Sequence, residues 1–343
     1  MSRRGSSSML GLIGRRLLQL PVILLVIYTL TLWLAWKIPG NPLENPDGRQ
    51  PPAAVIEAMK RQYNLDSFPS FYGSYLASAS GLDYARGWLS GAHDDADDRA
   101  AEANVAAPTR YVFDLGPSLT YDDWRVNEII AGALPVSVVL GFAAILIALG
   151  IGITAGVVGA IKPNSFADLA TLLLALIGIS LPSFVVGMLL LIVFAVWFPV
   201  LPVGGWGRVN QMLLPAVTLS LPFAAYIARL TRMGMIEALG ADYIRTARAK
   251  GLAESKVLFK HALKNAFLPV LSYLGPAIAF AMTGSFVVEK VFNVPGLGQH
   301  FVNAVLNKDL FLIMGVVLIF ATMLVLLNLA VDVLYRWVDP RIG

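Results

Sequence analysis

Between Arg229 and Lys264 the chain carries Arg229, Arg232, Arg245, Arg248, Lys250, Lys256, Lys260 and Lys264 against Glu237, Asp242 and Glu254, eight cations to three carboxylates and a net of +5. Groups of this kind form ion pairs and charge-assisted hydrogen bonds with a partner surface or with anionic lipid, and by themselves they break no bonds. Their spacing predicts two short helices. Over 241–251, Asp242, Arg245 and Arg248 share one face, while Ile244, Ala247 and Gly251 recur on another at intervals of three and four. Gly251 ends that helix and a second starts near Glu254. In the second, Leu258, Ala262, Leu263 and Ala266 form an apolar stripe, with Lys256, Lys260 and Lys264 at every fourth residue opposite. A helix patterned in this way lies flat at a membrane surface. On these residues alone, docking of a second protein and simple contact of the lysines with lipid are both open.

Other chemistry has less to stand on. There is no G-x-S-x-G elbow and no H-E-x-x-H, and His93, His261 and His300 fall in separate segments. Asp94, Asp95, Asp97 and Asp98 invite a calcium site, but the spacing is not that of an EF-hand loop and no Gly or terminal Glu completes one. No catalytic residue and no metal ligand is expected. Cysteine is absent, which removes disulfides and thiolate sites. The phosphate-binding pattern G-x-x-x-x-G-K-[ST] is also missing, so any ATP that drives this protein is bound elsewhere.

The elements that must position the basic segment are apolar. Hydrophobic residues make up 57% of the 343 and charged residues 14%, and the mean hydropathy is +0.69, which belongs in a lipid bilayer. A spanning helix needs about 20 largely apolar residues to cross about 30 Å of hydrocarbon. Six runs qualify, over 17–36, 129–161, 169–198, 212–228, 267–288 and 310–331. The expected class is therefore all-α, a polytopic membrane protein with six transmembrane helices. Arg3, Arg4, Arg15 and Arg16 before the first run resemble a signal peptide, but the run is too long and lacks a small-residue cleavage site, so a retained helix is expected.

Cytoplasmic loops collect Lys and Arg, which places the 229–266 loop in the cytoplasm and, with six spans, both termini there too. Residues 1–36 then form the cytoplasmic N-terminus and first helix. The region 37–128, with eight basic and fourteen acidic residues, lies outside, and 129–343 form a five-helix core. The acidic, Ala-rich stretch 91–110 reads as a flexible surface excursion. Ionisable residues are nearly absent from the runs: Arg229, Glu289, Lys290, Asp309 and Asp332 fall at or beyond their ends. That disfavours a carrier driven by a proton or ion gradient. An Arg-rich voltage sensor and a TVGYG filter are missing as well.

Within the runs, Gly152, Gly156 and Gly159 allow helices to approach closely, and Pro182, Pro222 and Pro276 are expected to bend or break theirs. Ser180, Ser183, Thr218, Ser220, Thr283 and Ser285 are the uncharged hydroxyls available to line a solute path. Hydroxyls in helices also bond to their own carbonyls.

The sequence "YIRTARAKGL", followed by "FKHAL" and "LPVL", resembles the EAA loop of ABC-importer permeases in the form carried by the dipeptide, oligopeptide and nickel branch. The resemblance runs through "RRLLQLPVILL", "IPGNP", "DLGPSLTYDDWRVNEII", "LPVGGWG", "VFNVPGLGQHFVNAVLN" and "VDVLYRWVDPRIG", and is strongest toward the oligopeptide members. His261, Ala262, Leu263 and Lys264 stand where the wider pattern has I-x-L-P, as is usual in the peptide branch. Members also pass more directly from "FYGSYL" to "DLGPS", so the region 82–110 looks inserted. The resemblance implies a type I importer half: a second similar permease subunit, two cytoplasmic ATPase subunits that bind ATP and Mg, a periplasmic or lipid-anchored peptide-binding protein, and no nucleic acid. It implies residence in a bacterial inner membrane, and a coupling helix in which Arg245, Thr246, Ala247, Lys250 and Gly251 meet an ATPase. Oligopeptides are the implied cargo, with dipeptides, nickel chelates, glutathione or modified peptides as alternatives. A self-contained channel or carrier and an intramembrane enzyme are the competing classes.

Overall fold

The computed structural model describes residues 9–39, 53–93, 110–121, 123–283 and 285–338. Arg3, Arg4, Arg341, the four aspartates at 94–98 and most of the 82–110 region lie outside the described residues. Helices account for nearly all the regular structure: α1 (Met9–Trp36), α2 (Ala53–Gln62), α3 (Phe68–Ala79), α4 (Leu82–Leu89), α5 (Val126–Ile161), α6 (Phe166–Ser180) and α7 (Ser183–Trp197). They continue as α8 (Val209–Gly240), α9 (Asp242–Ala249), α10 (254–266), α11 (Leu268–Thr283), α12 (Phe286–Val291), α13 (Leu297–Asn307) and α14 (Leu310–Val338).

Among the described residues, five helices are long and apolar enough to cross a membrane, and six if α6 and α7 count as one broken span. The break is at Pro182, where the two helices meet at 108°. Proline removes a donor and biases the residue before it, Leu181, toward the extended conformation seen there (φ −86°, ψ 133°). Pro222 and Pro276 do not break their helices: α8 and α11 run on through them. α8 also reaches well past the apolar run at 212–228, to Gly240.

The chain divides into two compact units. The first comprises Met1–Val22, Ala133–Gln299 and Phe320–Gly343. Its core is built on Leu140, Ala144, Ala148, Leu219, Ile227, Val270, Ala277 and Phe292, all buried. Small residues set its helix spacing. A Cβ on Gly152 would lie 2.7 Å from Ile227, and one on Gly156 would lie 2.5 Å from Thr231, so α5 and α8 touch nearly backbone to backbone at these glycines. Asp168, at the start of α6 and 2% exposed at its side chain, takes both Nε (2.5 Å) and Nη2 (2.7 Å) of Arg232 on α8. Arg16 on α1 pairs with Asp332 on α14 at 2.8 Å.

The second unit comprises Ile23–Gly132 and His300–Ile319. Its core is aromatic: Phe71 and Tyr75 of α3 stack on each other, and both meet Phe311 edge-on at 5.2 and 5.7 Å. Asp309, fully buried, accepts from Ser118 Oγ and from the backbone N–H groups of Leu119 and Thr120, and caps α14 through Leu312 N–H at 3.0 Å. A carboxylate here satisfies donors at a helix N-terminus that would otherwise be unpaired.

Candidate functional site

The basic segment folds into two helices joined by a tight turn and seated on the first unit. α9 ends in a Schellman arrangement, with Gly251 N–H on Arg248 C=O (2.9 Å) and Leu252 N–H on Ala247 C=O (3.4 Å). Gly251 itself stands at φ +73°, which explains its identity, and no atom lies within 4 Å of where its Cβ would be. Arg248 then bridges the turn to α10, its Nη2 and Nε on the two Glu254 oxygens at 2.6 and 3.2 Å. This bidentate hydrogen bond holds the Glu254 carboxyl below the usual range and raises the Arg248 guanidinium. Asp242 keeps only a loose 3.4 Å contact with Arg245. A second tie joins Asn265 Nδ2 to Tyr243 Oη at 2.9 Å.

Ile244 and Ala247 are the seat. Ile244 is completely buried and Ala247 nearly so, against Met235 and Ala238 of α8 and Val257, Ala262 and Ala266 of α10. α10 passes through a π-helical turn over Val257–Ala262. The wider turn puts Val257 and Ala262, five residues apart, on one buried face, so Val257 joins the core, with Leu258 and Leu263 packed against it partly buried. Gly234 lets α8 come against the Ala266 backbone.

Of the residues implied for coupling, Arg245, Thr246, Lys250 and Gly251 are exposed on one side of this seat, whereas Ala247 faces into it. The six candidate path hydroxyls are more scattered. Thr218 donates to Leu214 C=O, Ser220 to Val217 C=O and Thr283 to Ala279 C=O, each within its own helix. Ser180 is exposed and Ser183 half-buried, on either side of the Pro182 break. Ser285 is fully buried and donates to Glu289 Oε1.

That last contact belongs to a feature the apolar runs conceal. Glu289 stands near the end of the Leu268–Val291 span and is nonetheless fully buried, and its carboxylate also accepts from Ser137 Oγ (2.7 Å), Gly298 N–H (2.7 Å) and Gln299 N–H (3.2 Å). Ser137 Oγ in turn accepts from Leu297 N–H at 2.9 Å. One carboxylate thus joins α5, α12 and the start of α13. The signal available in the sequence was "VPGLGQ": a Cβ on Gly296 or Gly298 would come within 3 Å of that carboxylate.

An apolar helical bundle with one broken span, and a two-helix loop rigidly seated on its long α8, defines a type I ABC importer permease fold. The comparisons with known proteins give the family. Residues 131–343 match the binding-protein-dependent transport system inner membrane component family, and the chain belongs to it. The oligopeptide transport system permease protein OppB of Salmonella typhimurium is 40% identical over 337 residues, 97% of this chain and 99% of that protein. The dipeptide transport system permease protein DppB of Bacillus subtilis is 37% identical over 96% of each chain. An inward-facing structure of the MetNI methionine ABC transporter, 17% identical, matches with a TM-score of 0.53 over 62% of this chain and 97% of that one, which shows the shared fold. The chain is a multi-pass inner membrane permease subunit.

Proposed function

We propose that this chain forms half of the translocation path of an ATP-driven oligopeptide importer, beside a second homologous permease subunit. Two cytoplasmic ATPase subunits, which bind the ATP and Mg, sit beneath it, and a periplasmic or lipid-anchored binding protein delivers peptide from outside. The 40% identity to an oligopeptide permease over nearly the whole of both chains supports the cargo. The net charge of +5 over 229–264 supports a cytoplasmic loop with both termini on the same side, and the acidic 37–128 region supports an outer location.

The observation that carries the mechanism is the burial of Ile244 beneath an exposed row of Arg245, Thr246 and Lys250. A docking helix that transmits force must be exposed toward the ATPase and immobile toward the membrane helices. Here α9 is fixed to α8 and α10 by packing, by the Gly251 turn and by the Arg248–Glu254 bridge. When ATP closes the two ATPases, the two coupling helices are drawn together and the spans swing from inward-facing to outward-facing; hydrolysis resets them. Arg245, Thr246, Lys250 and Gly251 form the contact surface, and Ala247 holds it in place.

The test is reconstitution of this chain in liposomes with its permease, ATPase and binding-protein partners, measuring peptide-stimulated ATP hydrolysis and peptide uptake. Arg245→Glu and Gly251→Asp should leave the complex assembled and uncouple hydrolysis from uptake by roughly tenfold or more, about 1.4 kcal/mol of lost interface. Uptake at the wild-type rate in both, or uptake by this chain alone, would refute the coupling role.

A further inference from the structure

The carboxylate of Asp168, in the first turn of α6, is where α5, α6 and α8 meet. Its side chain is 2% exposed and takes Arg232 Nε at 2.5 Å and Nη2 at 2.7 Å. Its Oδ2 also accepts from Asn164 N–H at 2.8 Å, in the turn between α5 and α6. On the remaining side α5 is cut back to make room: a Cβ on Gly159 would lie 3.0 Å from Asp168 Oδ1 and 2.9 Å from Thr171 Oγ1. A buried pair of this kind is a poor source of stability, since apolar residues of similar volume usually serve as well. What it supplies is register. Between helices in lipid no hydrophobic force selects one alignment, and small residues at a contact permit several. The rest of the α6 contact with α8 is of that permissive sort. A Cβ on Gly178 would lie 3.2 Å from Leu221 C=O and 3.4 Å from Ala225 Cβ, while Leu169, Leu173, Leu174 and Leu176 are exposed. The bidentate pair has one alignment, and a slip by one helical turn, about 5.4 Å, leaves a buried carboxylate without its cation.

The two ends of this tie give it a role. On α8, about one turn beyond Arg232, Met235 belongs to the core that seats Ile244 and Ala247 of α9. On the other side, α6 leads to the break at Pro182 and into α7. We propose that Asp168 and Arg232 are positioning residues of transport: they fix the register of α6 on α8, so that a displacement of α9 is delivered through α8 to the broken span. The transmission rests on the importer reading above; the register does not.

The chain has no cysteine, so a disulfide between Gly178→Cys and Ala225→Cys reports this register, the Cβ positions being 3.4 Å apart, close to what a disulfide needs. The experiment measures oxidative cross-linking of that pair in the full chain in lipid nanodiscs, beside peptide uptake per ATP hydrolysed in the reconstituted assembly. Asp168→Asn, the apolar pair Asp168→Leu with Arg232→Leu, and the exchange Asp168→Arg with Arg232→Asp are compared with the wild type. Asp168→Asn and the apolar pair should each cut cross-linking about threefold or more and uptake per ATP about tenfold, and the exchange should recover part of both. The apolar pair leaves no buried charge unmet, so its thermal midpoint should hold. A midpoint that falls in step with the cross-link assigns the tie to stability and overturns the proposal. Unchanged cross-linking in Asp168→Asn and the apolar pair overturns the register; lost cross-linking with uptake per ATP unchanged overturns the transmission. If the wild-type assembly imports peptide with ATP while every variant cross-links and imports as it does, the inference falls and the importer reading stands. Variants that lose the cross-link in an assembly that imports nothing with ATP leave the register standing and remove the importer reading.

Discussion

Glu254 and Glu289 are both carboxylates of the first unit, held in opposite ways. Glu254 lies on the surface of the loop, paired with one guanidinium across a turn. Glu289 is sealed inside, with two hydroxyls and two backbone N–H groups converging on it. An exposed pair in water contributes little to stability and is easily exchanged for other partners. A buried carboxylate with every lone pair engaged cannot be exchanged without leaving donors dry, which fixes the geometry of the joint. A weak surface tie and a fixed buried joint are thus written in the same residue type.

Removing the buried carboxylate should have the largest effect. Glu289→Ala strands the Ser137 and Ser285 hydroxyls and the Gly298 and Gln299 N–H groups in a site too tight for ready repair, at a cost of roughly 3–5 kcal/mol. The thermal midpoint of the purified full chain in detergent, followed by tryptophan fluorescence, should fall by many degrees. A variant that melts with the wild type would show that the joint organises nothing. Next comes the seat. Ile244→Ala opens a cavity under α9 and should cost about 2–4 kcal/mol, spent locally. Hydrogen exchange over 242–266 should accelerate while that of α5 and α8 stays put; acceleration spread evenly through the bundle would mean the loop is not a separate, seated element.

The contrast also marks what was legible in advance. The spans could be read because length and apolarity suffice for a helix in lipid, and the short α9 because Ile244 and Ala247 fall on one side of a 3.6-residue repeat. Gly251 was legible as the end of α9 for the same local reason. The Glu289 joint was not, since Ser137 is 152 positions away and the glutamate stands just after an apolar run, where an interfacial charge is ordinary. Val257 escaped because a π-helical turn alters the period by which a stripe is recognised. Arg248 was grouped with Asp242 by helical spacing, yet it turns to Glu254, a contact that depends on the Gly251 turn and on no repeat. The break at Pro182 was foreseeable and its 108° angle was not, because three such prolines read alike and two sit in unbroken helices.

The exposed pair gives the smallest effect and the clearest sign. Arg248 holds the Glu254 carboxyl below its ordinary value of 4.5, so the folded loop favours the ionised form more than the unfolded chain does. The contribution is therefore complete above about pH 4.5 and is lost as pH falls from there through the lowered folded value. Exchange protection of α9 should decline across that window, on the acid side only. Arg248→Ala should remove the decline and leave the melting of the spans unchanged, because the guanidinium touches nothing inside the bundle. High salt should mimic the substitution in part, since screening weakens an exposed pair and leaves the packing of Ile244 alone. A loop whose protection ignores acid, salt and Arg248→Ala would mean that the bridge across the turn does not hold α9 at all, and that packing and the Gly251 turn suffice.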